Sequence, residues 1–500
     1  MMRLFEFIVA LVMVAILGIV VGVFLPSSGH VERSVVLSKD IRDVYDLMNN
    51  FHRFPEYATL RAEDPTMKYS FEGKAYGPGA AITWSGDNSK VGQGRLEIAS
   101  AKPGYEDVGT DGHGEIVWNL TNGWHGTDKH FTIDMERTGR GQKLVKVTWS
   151  YDVTYGWNLI NRYSSLYIHG APDELIQYSL DNLQNVLASV PNIDYSDLRP
   201  AIVQTTKTPV LFVSTEAKRT LDDVDAATSK AMDQLNATMK KLGVHQVGPR
   251  ITFTTNYGND KYSFDVAVPI DSDTLKIGDQ QYTLQSPVVP KLNPAGEPAD
   301  DSSVAGAGST ASAASAPASA DSVADADSGK AGDKAKKDQD TGPKPGSTDK
   351  YNHLIVNDNV KAMLAFGGKA LTGTWTGSPA GVPPTRLMLE AYALTHGYKF
   401  DDVQDRLYDK QLVAYGSKGP DGKEVAYDQQ KFAVFLPLTW GPDQTPEQQA
   451  GTAGKHGDDL DAPAAAGSSA PASAGSVPAP AGTAPSAAGS APTPAESAAQ

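Results

Sequence analysis

The 500-residue chain has no cysteine. That removes disulfide frameworks, cysteine-zinc sites and cysteine nucleophiles together, and it leaves the redox compartment open. Residues 291–350 and 441–500 contain no Phe, Trp or Tyr and are built largely from Ala, Ser, Pro, Gly, Asp and Lys. Such stretches bury too little apolar surface to offset the entropy lost on ordering. They imply a disordered linker over 289–350 and a disordered tail over 441–500. No phosphate-binding loop, G-x-S-x-G elbow, H-E-x-x-H helix or EF-hand loop occurs. A nucleic-acid partner is disfavoured as well: the net charge is −15, and binders of polyanions carry a basic face. Segments 291–350 and 441–500 hold −3 and −5 of that charge, so the remainder is only mildly acidic and its charge names no partner.

What is present begins with a long apolar run. From Phe7 to Leu25, nineteen consecutive residues are apolar, counting Gly18 and Gly22. As a helix this run is roughly 28 Å long, about the thickness of a bilayer core. It exceeds a secretory h-region, and Pro26-Ser27-Ser28-Gly29 is a poor cleavage site, so residues 1–29 read as a retained signal anchor rather than a cleaved peptide or a buried core helix. Arg3 ahead of the span gives weak positive-inside support for a single-pass bacterial inner-membrane protein with its folded parts in the periplasm. Gly18 and Gly22 form a small-xxx-small pair through which two copies could dimerise.

About 350 residues remain for folding, enough for two domains with cores. In the first, residues 30–190, Val31–Leu37 alternates as a half-buried strand. Ser38 or Asp40 can cap a helix over Asp40–Asn50 with Ile41, Val44, Tyr45 and Met48 on one face. Strand-like stretches follow at Ala80–Ser85, Gly94–Ser100, His130–Met135 and Leu144–Tyr151. An amphipathic helix over Pro172–Val190 closes the domain, with Leu175, Ile176, Leu180, Leu183, Val186, Leu187 and Val190 at helical spacing.

The order of these pieces resembles the SRPBCC (START-like, polyketide cyclase-related) superfamily. The matching pieces are Asp43-Val44-Tyr45-Asp46-Leu47, Phe51-His52-Arg53-Phe54-Pro55-Glu56-Tyr57, Gly77-Pro78-Gly79, Thr83-Trp84-Ser85-Gly86, Lys146-Val147-Thr148-Trp149 and Leu180-Asp181-Asn182-Leu183. The resemblance implies a helix-grip fold, a sheet curled round a long helix with an apolar cavity between them, and it names no reaction. Trp84 and Trp149 are candidate ligand contacts, and Trp118, Trp124 and Trp157 are further cavity or core aromatics. His113-Gly114-Glu115, His125 and His130 crowd one stretch. An alternating strand would put His113 and Glu115 on one face as a proton-transfer pair, but the spacing fits no zinc pattern. No metal and no cofactor are expected, and a solvated surface is the bland alternative.

The second domain, residues 205–288 and 351–440, compares with itself. A helix from Leu221 ends at Leu242-Gly243, and strands then close on Phe264-Asp265-Val266-Ala267-Val268-Pro269-Ile270. A helix from Arg386 ends at His396-Gly397, and strands then close on Phe432-Ala433-Val434-Phe435-Leu436-Pro437-Leu438. Both halves read strand, helix, Gly stop, two strands, with the 289–350 insertion between them. The tandem resembles the GyrI-like (SOUL-type) effector-binding domain, with Val210–Ser214 and Val360–Phe366 matching its first strands, Gly367-Gly368-Lys369 preceding Trp375-Thr376-Gly377-Ser378, and the Tyr408 segment following. Members that bind cationic drugs place a carboxylate in the last strand; here that residue is Ala433, and only Asp265 of the first half keeps an acid. The resemblance implies an apolar groove in which Asp265, Trp375, Tyr392 and Tyr408 would meet an organic cation.

The expected architecture is therefore α+β: a transmembrane helix, a helix-grip START-like domain and a tandem βαββ GyrI-like domain. The leading functional expectation is a membrane-anchored binder or sensor of small hydrophobic or amphipathic ligands. A cyclase-like or hydrolase-like enzyme acting in one of the pockets and an envelope scaffold with vestigial pockets are the alternatives.

Overall fold

Helix α1 (Met2–Phe24) follows directly from the apolar run. Its Leu4–Phe24 stretch has a mean hydropathy of 3.1 over 21 residues and lies almost wholly outside the packed core. It is the one helix long and apolar enough to cross a membrane among the described residues. The computed structural model describes residues 2–88, 91–104, 107–110, 112–258, 260–288, 344–400, 406–419 and 422–439. Residues 289–343 of the expected linker and the whole expected tail, 441–500, lie outside them. Residues 344–350 are inside, and they are fixed: Gly346 N donates to the Ile355 carbonyl at 2.8 Å, and Asp349 accepts from Lys361 at 2.9 Å.

After α1 come β1 (Ser28–Leu37), the short helices α2 (Ile41–Met48), α3 (Phe54–Tyr57) and α4 (Leu60–Glu63), and then six strands: β2 (Lys68–Gly73), β3 (Ala80–Ser85), β4 (Gln93–Lys102), β5 (His113–Asn122), β6 (Thr127–Thr138) and β7 (Leu144–Thr154). They form one antiparallel sheet in the order β1-β7-β6-β5-β4-β3-β2. Helix α5 (Leu159–Tyr163) precedes α6 (Ala171–Ala188). Ile176, Leu180, Leu183 and Leu187 of α6 are buried, the i, i+4, i+7, i+11 stripe that its sequence spacing demands. Asp40 caps α2 by accepting from Arg42 N at 2.9 Å. Ile41, Val44, Tyr45 and Met48 of α2 are buried, and so are its other four residues, because its polar side is covered by a helix from the second half of the chain.

That half comprises β8 (Ala201–Gln204), β9 (Thr208–Lys218), α7 (Leu221–Leu242), β10 (Ile251–Tyr257), β11 (Lys261–Pro269), a hairpin of β12 (Thr274–Ile277) and β13 (Gln280–Thr283), then β14 (Leu354–Ile355), β15 (Val360–Ala365), β16 (Lys369–Thr376), α8 (Val382–Thr395), β17 (Tyr408–Val413) and β18 (Lys431–Pro437). The large sheet runs β14-β15-β9-β11-β10-β17-β18-β16-β8. Units β9-α7-β10-β11 and β16-α8-β17-β18 thus occupy equivalent places, joined where β10 pairs with β17. Gly243 and Gly397 stop the two helices at φ +71° and +81°, a conformation that side chains with a Cβ rarely adopt.

The expected first strand of the second half is corrected. Val360–Ala365 is an added strand on β9, pairing Val360 with Val213, and the repeat begins at β16. Hydrophobic alternation identifies a strand but not its partner. Because β8 runs into β9 and β15 into β16, the ladder continues through a reciprocal Thr205–Gly368 pair and links the two margins of the sheet.

The two sheets share one core. Leu389, Tyr392, Phe432 and Leu436 cluster with Val44, Trp118 and Leu183. Between α2 and α8, Asp46 accepts from Arg42 and from Tyr195 Oη, each at 2.8 Å, and Tyr195 Oη also meets Thr395 Oγ1 at 2.9 Å.

Candidate functional site

In an antiparallel ladder, residues opposite one another share a face. Two rows therefore cross the large sheet on its side opposite α7 and α8. One row is Asp265–Phe253–Tyr408–Phe435–Thr372 and the next is Ala267–Ile251–Lys410–Ala433–Thr374. Val210, Phe212 and Met363 complete an apolar cluster on this inner face. Tyr408 and Phe435 stack at 4.8 Å with an interplanar angle of 10°.

Two cations enter this surface. Arg406 donates to Asp265 Oδ2 at 2.6 Å and to Thr255 Oγ1 at 2.7 Å, with its guanidinium 5.5 Å from the Phe253 ring centre. Asp265 is buried, but it is already neutralised, so the free acid expected to hold an organic cation is not there. Lys410 differs. Its ammonium stands 5.1 Å from the Phe435 ring centre and 5.8 Å from that of Tyr408, and no carboxylate or carbonyl partner for it occurs among the described residues. Burial lowers its pKa and pushes the Tyr408 hydroxyl upward. Ala433, where a carboxylate would have answered it, lies directly opposite.

Trp375 and Tyr392 belong elsewhere. Trp375 pairs with Phe432 on the helix side, donates from Nε1 to the Ser378 carbonyl at 2.8 Å, and covers Gly381 so closely that a Cβ there would meet the ring at 1.9 Å. Tyr392 stacks on His396 at 3.9 Å inside the core shared by the sheets. Of the four groove candidates, only Asp265 and Tyr408 share a surface. Lys410 and Arg406 are not among the residues the sequence patterns single out, although Lys410 follows Tyr408 by two residues and strand alternation puts it on the same face.

In the first sheet, Trp149 packs edge-on against Trp118 at 5.3 Å and Phe131 at 5.8 Å. Trp84 lies across Gly94, where any Cβ would meet the indole at 2.1 Å. It also borders an open groove of about 500 Å³ with Lys68, Tyr69 and Arg95. The indole nitrogens of Trp84, Trp118 and Trp149 and the Tyr57 hydroxyl are buried without an acceptor. Trp157, grouped above with the cavity aromatics, is instead on the exterior. His113 and Glu115 do share the outer face of β5, but His113 is exposed with Asp134 at 3.8 Å, and Glu115 faces Lys102 at 4.0 Å. Among the described residues no three His, Asp or Glu side chains are grouped to hold a metal ion.

No family model and no curated protein matches the chain. Solved structures do show likenesses. The protein XoxI from Bacillus cereus is 15% identical, covering 32% of this chain and 96% of its own, with a TM-score of 0.23. A Thermobifida fusca protein solved by NMR is 12% identical, covering 31% and 90%, with a TM-score of 0.22. A Thalictrum flavum norcoclaurine synthase point mutant in complex with a transition-state analogue is 10% identical, covering 32% and 94%, with a TM-score of 0.24.

Proposed function

We propose that the chain is a single-pass, membrane-anchored binding protein whose second sheet holds a small amphipathic ligand with an anionic head. The observation that carries this reading is Lys410, a half-buried ammonium over two aromatic rings with no anion beside it among the described residues. A cation held away from water costs free energy unless a negative group answers it. The apolar row of Ile251, Ala267 and Ala433 suits the rest of such a ligand. Its sign is opposite to the one implied by the resemblance, since Asp265 is already engaged by Arg406. The β9-α7-β10-β11 and β16-α8-β17-β18 units support a GyrI-like reading of this half. The curved sheet crossed by α6 supports a helix-grip reading of the other, with the unpaired indole N–H groups as a second, neutral set of donors. The anchor and Arg3 favour a bacterial inner-membrane protein with both parts in the periplasm.

The test uses the full chain in detergent with a fluorescent long-chain carboxylate and a quaternary ammonium amphiphile of the same tail. Tighter binding of the carboxylate is expected, with Lys410→Met weakening it at least about tenfold, equivalent to about 1.4 kcal/mol, and Lys410→Arg retaining it. Preference for the cationic amphiphile, or carboxylate binding indifferent to Lys410→Met, would overturn the reading.

A further inference from the structure

We infer that residues 157–167 form a foot embedded in the bilayer surface through which α1 emerges, its occupant being the lipid of that leaflet. The inference rests on the reading of α1 as a membrane span and goes beyond it. Helix α5 lies against the last turns of α1. Tyr163 Oη donates to the Gly18 carbonyl at 2.5 Å, and Arg162 donates to the Val23 carbonyl at 2.8 Å. Leu159 and Tyr163 lie so close to Gly22 that a Cβ there would meet them at 3.2–3.3 Å. The glycine pair expected to receive a second copy of the chain is therefore occupied from within.

Gly18 lies six residues inside the apolar stretch that ends at Phe24, about 9 Å along the helix axis. A segment bonded at that depth shares the depth. Its outward side chains have the character such a position selects: Trp157 is 84% exposed, Ile160 71%, Leu166 61% and Tyr167 75%. In water this would be a costly apolar patch. Beside the equally exposed Phe24 it continues the apolar surface of the span, with Trp and Tyr suited to the headgroup level. Arg162, the cation of α5, is buried and bonded inward to Gly156 and Val23, with its guanidinium 4.9 Å from the Trp157 ring centre. It therefore presents no isolated charge to lipid. Because α6 starts at Ala171 and β1 at Ser28, the foot would set that end of the first sheet and its helix against the membrane.

The absence of cysteine makes the test direct. Full-length chains carrying Ile160→Cys, Leu166→Cys, Val12→Cys or Asp279→Cys are labelled with bimane and reconstituted in phosphatidylcholine vesicles containing lipids with nitroxides at headgroup, shallow or deep acyl positions. Labels at 160 and 166 are expected to lose most of their fluorescence to headgroup and shallow nitroxides, the label at 12 to deep ones, and the label at 279 to none. Quenching at 12 without quenching at 160 and 166 would overturn the foot and leave the anchor standing. No quenching at 12 would remove the span, and the foot with it.

Discussion

The two sheets differ in the polar groups buried on their own faces. Against the first, the unpaired buried atoms among the described residues are mostly neutral, among them three indole nitrogens and the Tyr57 hydroxyl, while its deepest charges, Arg42, Asp43 and Asp46, lie on α2 and not on the sheet. A neutral donor left unpaired costs about 1–3 kcal/mol, and a water or a ligand acceptor can meet that cost. The second buries full charges on the strands of the sheet itself. Arg386 donates to Asp409 and, at 3.1 Å, to Tyr262 Oη on the helix side, Arg406 holds Asp265 on the inner side, and Lys410 is left over. A region whose unanswered buried charges among the described residues, Lys410 and Arg250, are both cations favours an anionic guest, whereas neutral unpaired donors set no such sign. The largest expected effect breaks this contrast at its strongest point. Asp409→Asn leaves Arg386 buried against a neutral partner and should cost roughly 3–5 kcal/mol. Trp149→Phe, which removes an unpaired donor along with some volume, should cost clearly less. Denaturant titration of the full chain in mild detergent ranks the two, and equal losses would erase the distinction.

Carboxylates sharpen the same contrast through pH. Asp43 of α2 is buried without a hydrogen-bond partner. Burial, reinforced by the nearby charge of Asp40, pushes its pKa up to about 8. Between its ordinary value near 4 and that value, the folded state binds the extra proton, so stability contributed here falls as pH rises. Asp349 is the converse. Burial works against its ionisation, but hydrogen bonds from His353 and Lys361 hold its pKa below the usual range. Its contribution is complete above about pH 4 and is lost as pH falls toward its folded pKa. Asp43→Asn should therefore stabilise the chain at pH 8, on the order of a few kcal/mol, with the gain vanishing toward pH 4. Asp349→Asn should destabilise it at neutral pH, with the loss fading in acid. Stability measured from pH 3 to 9 gives the two slopes, and slopes of the same sign would refute the assignment.

The difference also explains what could be read from the sequence. The apolar stripe of α6, the glycine stops at 243 and 397 and the closing strands ending at Pro269 and Pro437 are local patterns, and each is where its spacing implies. Partners were not legible. Arg406 reaches Asp265 across 141 positions. Val360–Ala365 joins β9 rather than starting the second repeat. α2, amphipathic by pattern, is buried on both sides because α8 packs on it. Period and propensity report which face of an element is apolar, not which distant element will cover the other face. Lys410 is the intermediate case: its face is readable two residues from Tyr408, while the lack of an anion beside it among the described residues is visible only in the assembled sheet.

The smallest effect concerns how each region starts its long helix. Helix α6 begins after Gly170 with no side-chain cap, and its first turn is instead held by Asp173 accepting two bonds from Arg33 of β1, each at 2.7 Å. Helix α7 carries its own cap: Thr220 Oγ1 accepts from Asp223 N at 3.2 Å and donates to the Asp223 carboxylate at 2.6 Å. One start depends on the finished sheet, the other on four neighbouring residues. Thr220→Ala should therefore cost about 1 kcal/mol and loosen only the first turn of α7, seen as faster amide exchange at 221–224 with the rest of the helix unchanged. Asp173→Asn should instead speed exchange in both α6 and β1, because its bonds join the two elements. If both variants perturb only their own first turn, Arg33 and Asp173 do not couple helix to sheet.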